Sequence, residues 1–352
     1  MLTKKLGRFG RAIAFAAVGL TATGAYAQTT EEMPKVVIAH STKSFAFLTF
    51  FVASAMDYFE EAGVDVEEVR TGSGSKAMAA MVNGDANIYI GSTTTAFKTR
   101  EKGVPVKIIA PVVRQLTSSI VVSEEWAESH GVTKDSTIPE KLKALEGARI
   151  AMSGPGSGSD QVVRYVAAEA GFDPERDMQI VPMGSNAATY MSAMQAGQID
   201  GFSASPPHIQ IAEKDFNATI LLNLAAGELP TLDGYFYIGM ISRDDWIEEN
   251  TEAGARVLRA LQMAMDAVHD PELTKAAAQA TFEKYYPDMD RDLFQSVWDS
   301  QVSSVPVNLE MSDAMLRDVL AFHNQFSESQ ISADLIPETL ATSLTDAAMS
   351  AN

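Results

Sequence analysis

Two short runs of glycine and serine, each ahead of a helical pattern, are the residues best suited to chemistry. Gly154-Pro155-Gly156-Ser157-Gly158-Ser159-Asp160 puts small residues and hydroxyls at a helix start. Unpaired main-chain N–H groups and the helix dipole favour negative charge at such a place. Gly72-Ser73-Gly74-Ser75 repeats the arrangement earlier in the chain. The chemistry implied is anion binding rather than nucleotide binding. Neither run is a G-x-x-x-x-G-K-[ST] loop, nor a G-x-G-x-x-G before a suitable acidic partner. Asp160 leaves a plain capping loop open as the alternative, since a carboxylate there occupies the same donors. Lys76 lies in the first turn after the earlier run, where it either complements a bound anion or is simply solvated. Arg114 sits at a strand end and is able to fork onto a carboxylate or sulfonate, or to make a surface ion pair.

Other candidates carry less. Gly201-Phe202-Ser203-Ala204-Ser205 approaches the G-x-S-x-G nucleophile elbow, with His208 as an adjacent base. The last glycine is a serine, however, and Pro206-Pro207 opposes the helix that an elbow needs immediately afterwards. The histidines at 40, 130, 208, 269 and 323 show no metal-ligand spacing, so no metal or other cofactor is expected. His40 ends the first strand, either facing a cleft or hydrogen-bonded within the structure. Phe45, Phe47, Tyr89, Tyr235 and Tyr237 each fit a core position. Because they cluster near two strand ends and a crossover, one or two are expected to reach a cleft.

The elements that must position these residues alternate. Lys35 to Ala39 reads as a strand, Phe47 to Glu61 as a helix and Val64 to Val69 as a second strand. A helix from the Gly72 run to Asn83, a strand Ile88 to Ile90 and a strand Val106 to Val113 follow. The rhythm restarts after Ser119-Ile120-Val121-Val122, with strands at Ala148 to Met152, Met178 to Pro182, Ile199 to Phe202 and Thr219 to Asn223. Helices start at the Gly154 run and at Gly184. Such alternation means an α/β architecture with mainly parallel sheets.

The organising stretch is Ala193 to Pro207, in which a helix stops at Gly197, a short buried strand follows, and small residues end it. Ala80 to Ser92 has the same shape at an offset of 113, matching Ala80/Ala193, Met81/Met194, Gly84/Gly197 and Ser92/Ser205. Two similar lobes are therefore expected, each offering a strand end to one cleft. Tyr235 to Ser242 reads as the strand by which the chain crosses back. Helices are expected at Glu252 to Val268, Leu273 to Tyr285, Arg291 to Ser300 and Ser312 to Phe326, and a disordered tail beyond Leu340. The lobes are then 28–117 plus 234–352, and 118–233, with a hinge of two crossovers near 114–119 and 232–236.

Residues 1–27 read as a signal peptide. Lys4, Lys5, Arg8 and Arg11 precede the apolar run Ala12 to Leu20, and Ala25-Tyr26-Ala27 is a small-x-small cleavage site. Their removal leaves 325 of 352 residues and, with four basic residues gone, takes the formal charge from −19 to −23. An acidic balance argues against nucleic acid and anionic lipid as partners. The chain has no cysteine, which excludes disulfides, thiolate metal sites and a cysteine nucleophile. A soluble, exported, disulfide-free monomer is expected.

Four segments in order carry a family resemblance. Asp57-Tyr58-Phe59-Glu60-Glu61-Ala62-Gly63-Val64-Asp65-Val66 resembles the "G-hydrophobic-F-x-x-x-G-[LI]-D-V" signature of nitrate/sulfonate/taurine-type substrate-binding proteins, with Asp57 in place of the glycine. Ala80 to Asn87 is similar to that family's "A-L-x-x-G-x-x-D", with Asn87 for the aspartate. Leu145 to Ala151 resembles "D-L-K-G-K-K-I-A-V", and Met194 to Gly201 resembles "A-L-x-x-G-x-I-D-A". These proteins are periplasmic receptors of ABC importers, in a superfamily shared with thiamine-pyrimidine synthase-like proteins.

The resemblance implies a type II periplasmic-binding-protein fold: two α/β lobes, a two-crossover hinge and a helical C-terminal region. It implies a small-molecule ligand, permease and ATPase subunits as partners, and no catalysis. By position it places ligand contacts at Ser41, Thr42, Phe45 and Phe47, at Gly74 and Ser75, and at Ser92 and Thr93. In the second lobe the matching places are Ser157, Gly158, Ser159, Asn186, Ser203 and Ser205. Arg114 and Tyr235 join them from the residue reading. The expected ligand is a small organic anion, a sulfonate such as taurine first and a carboxylate next. The alternatives are a thiamine-precursor pyrimidine, an exported hydrolase using Ser203, and a sensory domain.

Overall fold

The structure, a computed structural model, describes residues 32–350 apart from 230, 231, 233 and 328. The signal peptide expected at 1–27 lies outside the described residues. Ten strands form two five-stranded sheets: β1 Lys35–His40, β2 Asp65–Arg70, β3 Ile88–Ser92, β4 Val106–Val113, β5 Ser119–Ser123, β6 Arg149–Met152, β7 Gln179–Pro182, β8 Gly201–Ala204, β9 Ala218–Leu222 and β10 Ile238–Arg243. The first sheet runs β2-β1-β3-β10-β4 and the second β7-β6-β8-β5-β9. β1 pairs in parallel with β2 and β3, as β6 does with β7 and β8. β10 runs antiparallel between β3 and β4, and β5 runs antiparallel between β8 and β9. One order thus serves both sheets, and in each the antiparallel member is the strand reached on crossing from the other.

β3 and β8 lie at the middle of their sheets and are buried along their whole length. That position explains their continuous apolar and small-residue sequences, which do not alternate with polar ones. The helices that precede them end alike. Gly84 and Gly197 both take positive φ, +88° and +65°, where a side chain would be strained. Both Gly/Ser runs start helices as expected: Gly74–Asn83 is capped by the Ser73 hydroxyl and Gly158–Glu169 by the Ser157 hydroxyl.

Three expectations are corrected. The helix expected over Phe47 to Glu61 is broken into Leu48–Ala55 and Tyr58–Glu61, because Asp57 takes the left-handed conformation at φ +58°. Tyr235 to Tyr237 precede the return strand rather than belong to it. The tail expected to be disordered is folded over residues 341–350. Ala341 N–H donates to the Ile108 carbonyl at 3.0 Å, and the helix Ser343–Ser350 buries Leu344 and Ala348 against the long helix Thr251–His269. Among the described residues no helix is long and apolar enough to cross a membrane.

Candidate functional site

A cavity lies where β3 and β8 end. Its volume is about 80 Å³. Both helix starts open onto it, through Gly74 on one side and Ser157, Gly158 and Ser159 on the other. The N–H groups of the first helical residues have no partner within their own helix, so these starts present donors. The loop after β1 adds Ser41, Thr42 and Phe47. Ser92 comes from the end of β3, and Ser203 and Ser205 from the end of β8.

The other residues singled out in the sequence lie elsewhere. Phe45 is fully buried against Tyr286, Phe294 and Trp298. Thr93 donates its hydroxyl to the Phe236 carbonyl at 2.6 Å. Tyr235 packs on Phe322, with its hydroxyl 3.4 Å from that of Thr94. Asn186 caps the helix Ala187–Gln195, its side-chain oxygen accepting from Ala188 N–H at 3.0 Å. Ser75 shares a hydrogen bond with the Ser73 hydroxyl at 3.3 Å and is not on the cavity wall. Arg114 reaches the Glu310 carbonyl instead, and Lys76 is exposed on its helix. Among the described residues no Asp, Glu, Lys or Arg side chain lines the cavity.

Of the aromatics expected near a cleft, Phe47, Tyr89 and Tyr237 line it, and Ser118, Ser153, Ser185 and Tyr190 join them unforeseen. Tyr89 and Gly91 share one face of β3 by alternation, and the phenol lies across the glycine: a Cβ there would come within 1.9 Å of its oxygen. Burial raises the Tyr89 phenol to about 12. Tyr237 reaches across to the second sheet, its hydroxyl 2.8 Å from the Ser118 hydroxyl. A Cβ on Gly158 would lie 2.4 Å from the same phenol oxygen. Tyr190 stacks on Phe202 and donates to the Gly184 carbonyl. Ser185 lies one residue before the cap at Asn186, and nothing in a single sequence separates the two.

The polar wall is partly self-satisfied. Ser205 hydrogen-bonds with Thr117 at 3.1 Å and Ser118 at 3.3 Å, on the crossover between β4 and β5. Ser159 bonds Ser153 and Ser157 at 3.1 and 3.2 Å. Asp160 does take one donor of its own loop, Gly156 N–H at 2.7 Å, and is itself held by Arg164 Nε at 2.9 Å. Three buried atoms on the wall have no partner among the described residues: the Ser185 and Ser203 hydroxyls and His208 Nε2.

Contacts between the two sheets' loops surround the cavity. Ser185 N–H donates to the Gly72 carbonyl at 2.7 Å, and Phe45 N–H to the Pro206 carbonyl at 2.8 Å. The Ser92 hydroxyl donates to Gln161 Oε1 at 3.0 Å. His40 is structural: its Nδ1 lies 2.9 Å from the Thr42 carbonyl and its Nε2 2.9 Å from Glu68 Oε1, which fixes the loop after β1.

A family model described as NMT1-like matches residues 31–282. Among solved structures, a protein from Bordetella bronchiseptica RB50 is 19% identical with a TM-score of 0.78, over 91% of this chain and 98% of that one. The alkanesulfonate-binding protein SsuA from Xanthomonas axonopodis pv. citri, bound to MOPS, is 15% identical with a TM-score of 0.66, over 88% and 98%. The periplasmic nitrate-binding protein NrtA from Synechocystis PCC 6803 is also 15% identical at 0.66, over 91% and 89%. Identities this low carry the shared fold, that of periplasmic binding proteins.

Proposed function

The chain belongs to the NMT1-like family, and from that premise and the geometry of the cavity we propose that it is an exported solute receptor of an ABC importer. It takes up a small organic anion between two lobes, 28–117 plus 234–352 and 118–233, and hands it to a membrane permease worked by an ATPase. The observation that carries this reading is the cavity itself. Two central strand ends and two helix starts converge there, and unpartnered buried hydroxyls line it. Buried polar atoms without partners are costly, so a solute that bonds them stabilises the closed arrangement.

With no cation on the wall, an oxyanion would be held by helix-start amides and serine hydroxyls, which suit sulfonate or carboxylate oxygens. Sulfonates such as taurine come first and carboxylates next. The alkanesulfonate- and nitrate-binding proteins of the same fold support the class. The lining of Phe47, Tyr89, Tyr190 and Tyr237 without a charged side chain favours one second reading, a neutral heterocycle such as a thiamine-precursor pyrimidine stacked on a ring. Catalysis is not part of the proposal. Ser203 and His208 share the cavity, but no carboxylate on its wall orients the histidine.

Calorimetry and thermal shift with sulfonates, carboxylates, nitrate and pyrimidines test the ligand class, and small-angle scattering tests closure. Micromolar binding of an anion with compaction is expected. Binders confined to neutral or cationic solutes would overturn the anion assignment, and a shape unchanged by every binder would overturn closure.

A further inference from the structure

The distance between the two walls of the cavity is set where the loops behind them touch. This inference rests on the receptor reading above. The Gly/Ser run after β2 meets the loops after β6 and β7 there. The Gly72 carbonyl accepts from Ser185 N–H at 2.7 Å, and a Cβ on Gly184 would lie 3.4 Å from the same oxygen. A Cβ on Gly154 would lie 3.2 Å from Ser75 Oγ and 3.7 Å from Ser73 Cβ. A Cβ on Gly74 would lie 3.7 Å from Ser157 Cβ. The two Gly/Ser runs therefore lie directly against each other. Gly154 is buried between them, and non-bonded carbons settle at about 3.5–4.0 Å. A methyl group at 154 is already tight, and a longer side chain fits only if the runs part.

This seam is continuous with the wall. Ser185 closes the seam with its amide, and its hydroxyl faces the cavity, buried and without a partner among the described residues. Gly74 and Ser157 likewise belong to both seam and wall. Gly154 and Ser73 stand off the wall. A side chain added at 154 would thus move the walls apart without touching a solute, and carry the helix starts and the Ser185 hydroxyl away from it.

We propose that Gly154 is a positioning residue for size selection: by letting the two runs meet, it fixes the closest approach of the walls and restricts the receptor to short-chain acids. A cavity of about 80 Å³ suits an acidic head with a short chain.

Two measurements on the mature chain test this. The protein has no cysteine of its own, and 3.7 Å is a Cβ separation that a disulfide spans. Ser73→Cys with Gly154→Cys should therefore form an intramolecular disulfide in mild oxidant. Gly74→Cys with Ser157→Cys repeats the test should the first pair impair folding. Thiols that stay free in both pairs overturn the seam. Calorimetry then compares methanesulfonate with hexanesulfonate, and acetate with hexanoate, in the unaltered protein and in Gly154→Val. The unaltered protein should bind the short acid of a pair more tightly. Gly154→Val should move the ratio of the two affinities at least about tenfold towards the long acid, and Gly154→Ala should move it the same way by less. A variant that is merely less stable would weaken both acids alike. An unchanged ratio, or a preference of the unaltered protein for the long acid, overturns the proposal while the receptor reading stands. If none of the four binds the unaltered protein, the anion assignment falls and takes the restriction to short acids with it.

Discussion

Glu68 ties three residues at the cleft edge of the first sheet. It accepts from Arg70 Nε at 2.6 Å and the Tyr285 hydroxyl at 3.0 Å, and its Oε1 lies 2.9 Å from His40 Nε2. Burial alone would raise this carboxyl, but the hydrogen bonds and charges of His40 and Arg70 win and bring it from 4.5 to about 2. A depressed folded pKa gives stability that is complete above the unfolded value and lost as pH falls through about 2. Glu68→Gln should therefore cost about 2–3 kcal/mol at pH 7 and flatten the acid limb of the stability curve. Urea unfolding from pH 7 downward checks this, and an unchanged pH dependence would refute it. Gly158→Ala tests the cavity wall: its Cβ would meet the Tyr237 phenol at 2.4 Å. Overpacking of that kind costs about 1–3 kcal/mol, and calorimetry should show solute affinity at least about tenfold weaker. Single residues were the least legible part of the sequence. Phe45 and Phe47, or Tyr235 and Tyr237, differ only in which way a loop turns them, and one of each pair lines the cavity.

Helix starts were legible because a serine cap followed by small residues states its own chemistry, as Ser73 and Ser157 do. The break at Asp57 was not, since an aspartate gives little warning of a left-handed backbone. The polar tail beyond Leu340 was misread for a different reason. Two of its apolar residues, Leu344 and Ala348, are spaced one helical turn apart and buried, and the surface they meet lies about ninety residues earlier on Thr251–His269. Single-sequence patterns do not carry contacts of that separation. Leu344→Ala should destabilise the protein by about 2–5 kcal/mol, read as a lower urea midpoint with an unchanged slope. A loss below about 0.5 kcal/mol would show that the helix contributes little.

At the scale of the whole molecule, the matched pair Ser92/Ser205 proved to be structural. Both residues stand where the central strand of a sheet gives out at the cavity. Periodicity within each half was readable, whereas the closeness of the halves was not, because it rests on contacts such as Ser92 to Gln161. Removing that hydroxyl by Ser92→Ala should weaken solute binding by about 1 kcal/mol, roughly fivefold. Calorimetry on the variant checks it, and full affinity would show that the contact is incidental to binding.

The placing of β10 between β3 and β4 has a consequence for how the polypeptide is made. β4 has no neighbour in its own sheet until residues 238–243 exist. The five strands of the other sheet, by contrast, all lie between residues 119 and 222. A growing chain can therefore assemble its later-encoded sheet first, while the earlier one waits with a gap in its middle. A chain ending just short of β10 and released from the ribosome should carry one protease-resistant sheet and one that is still open to cleavage.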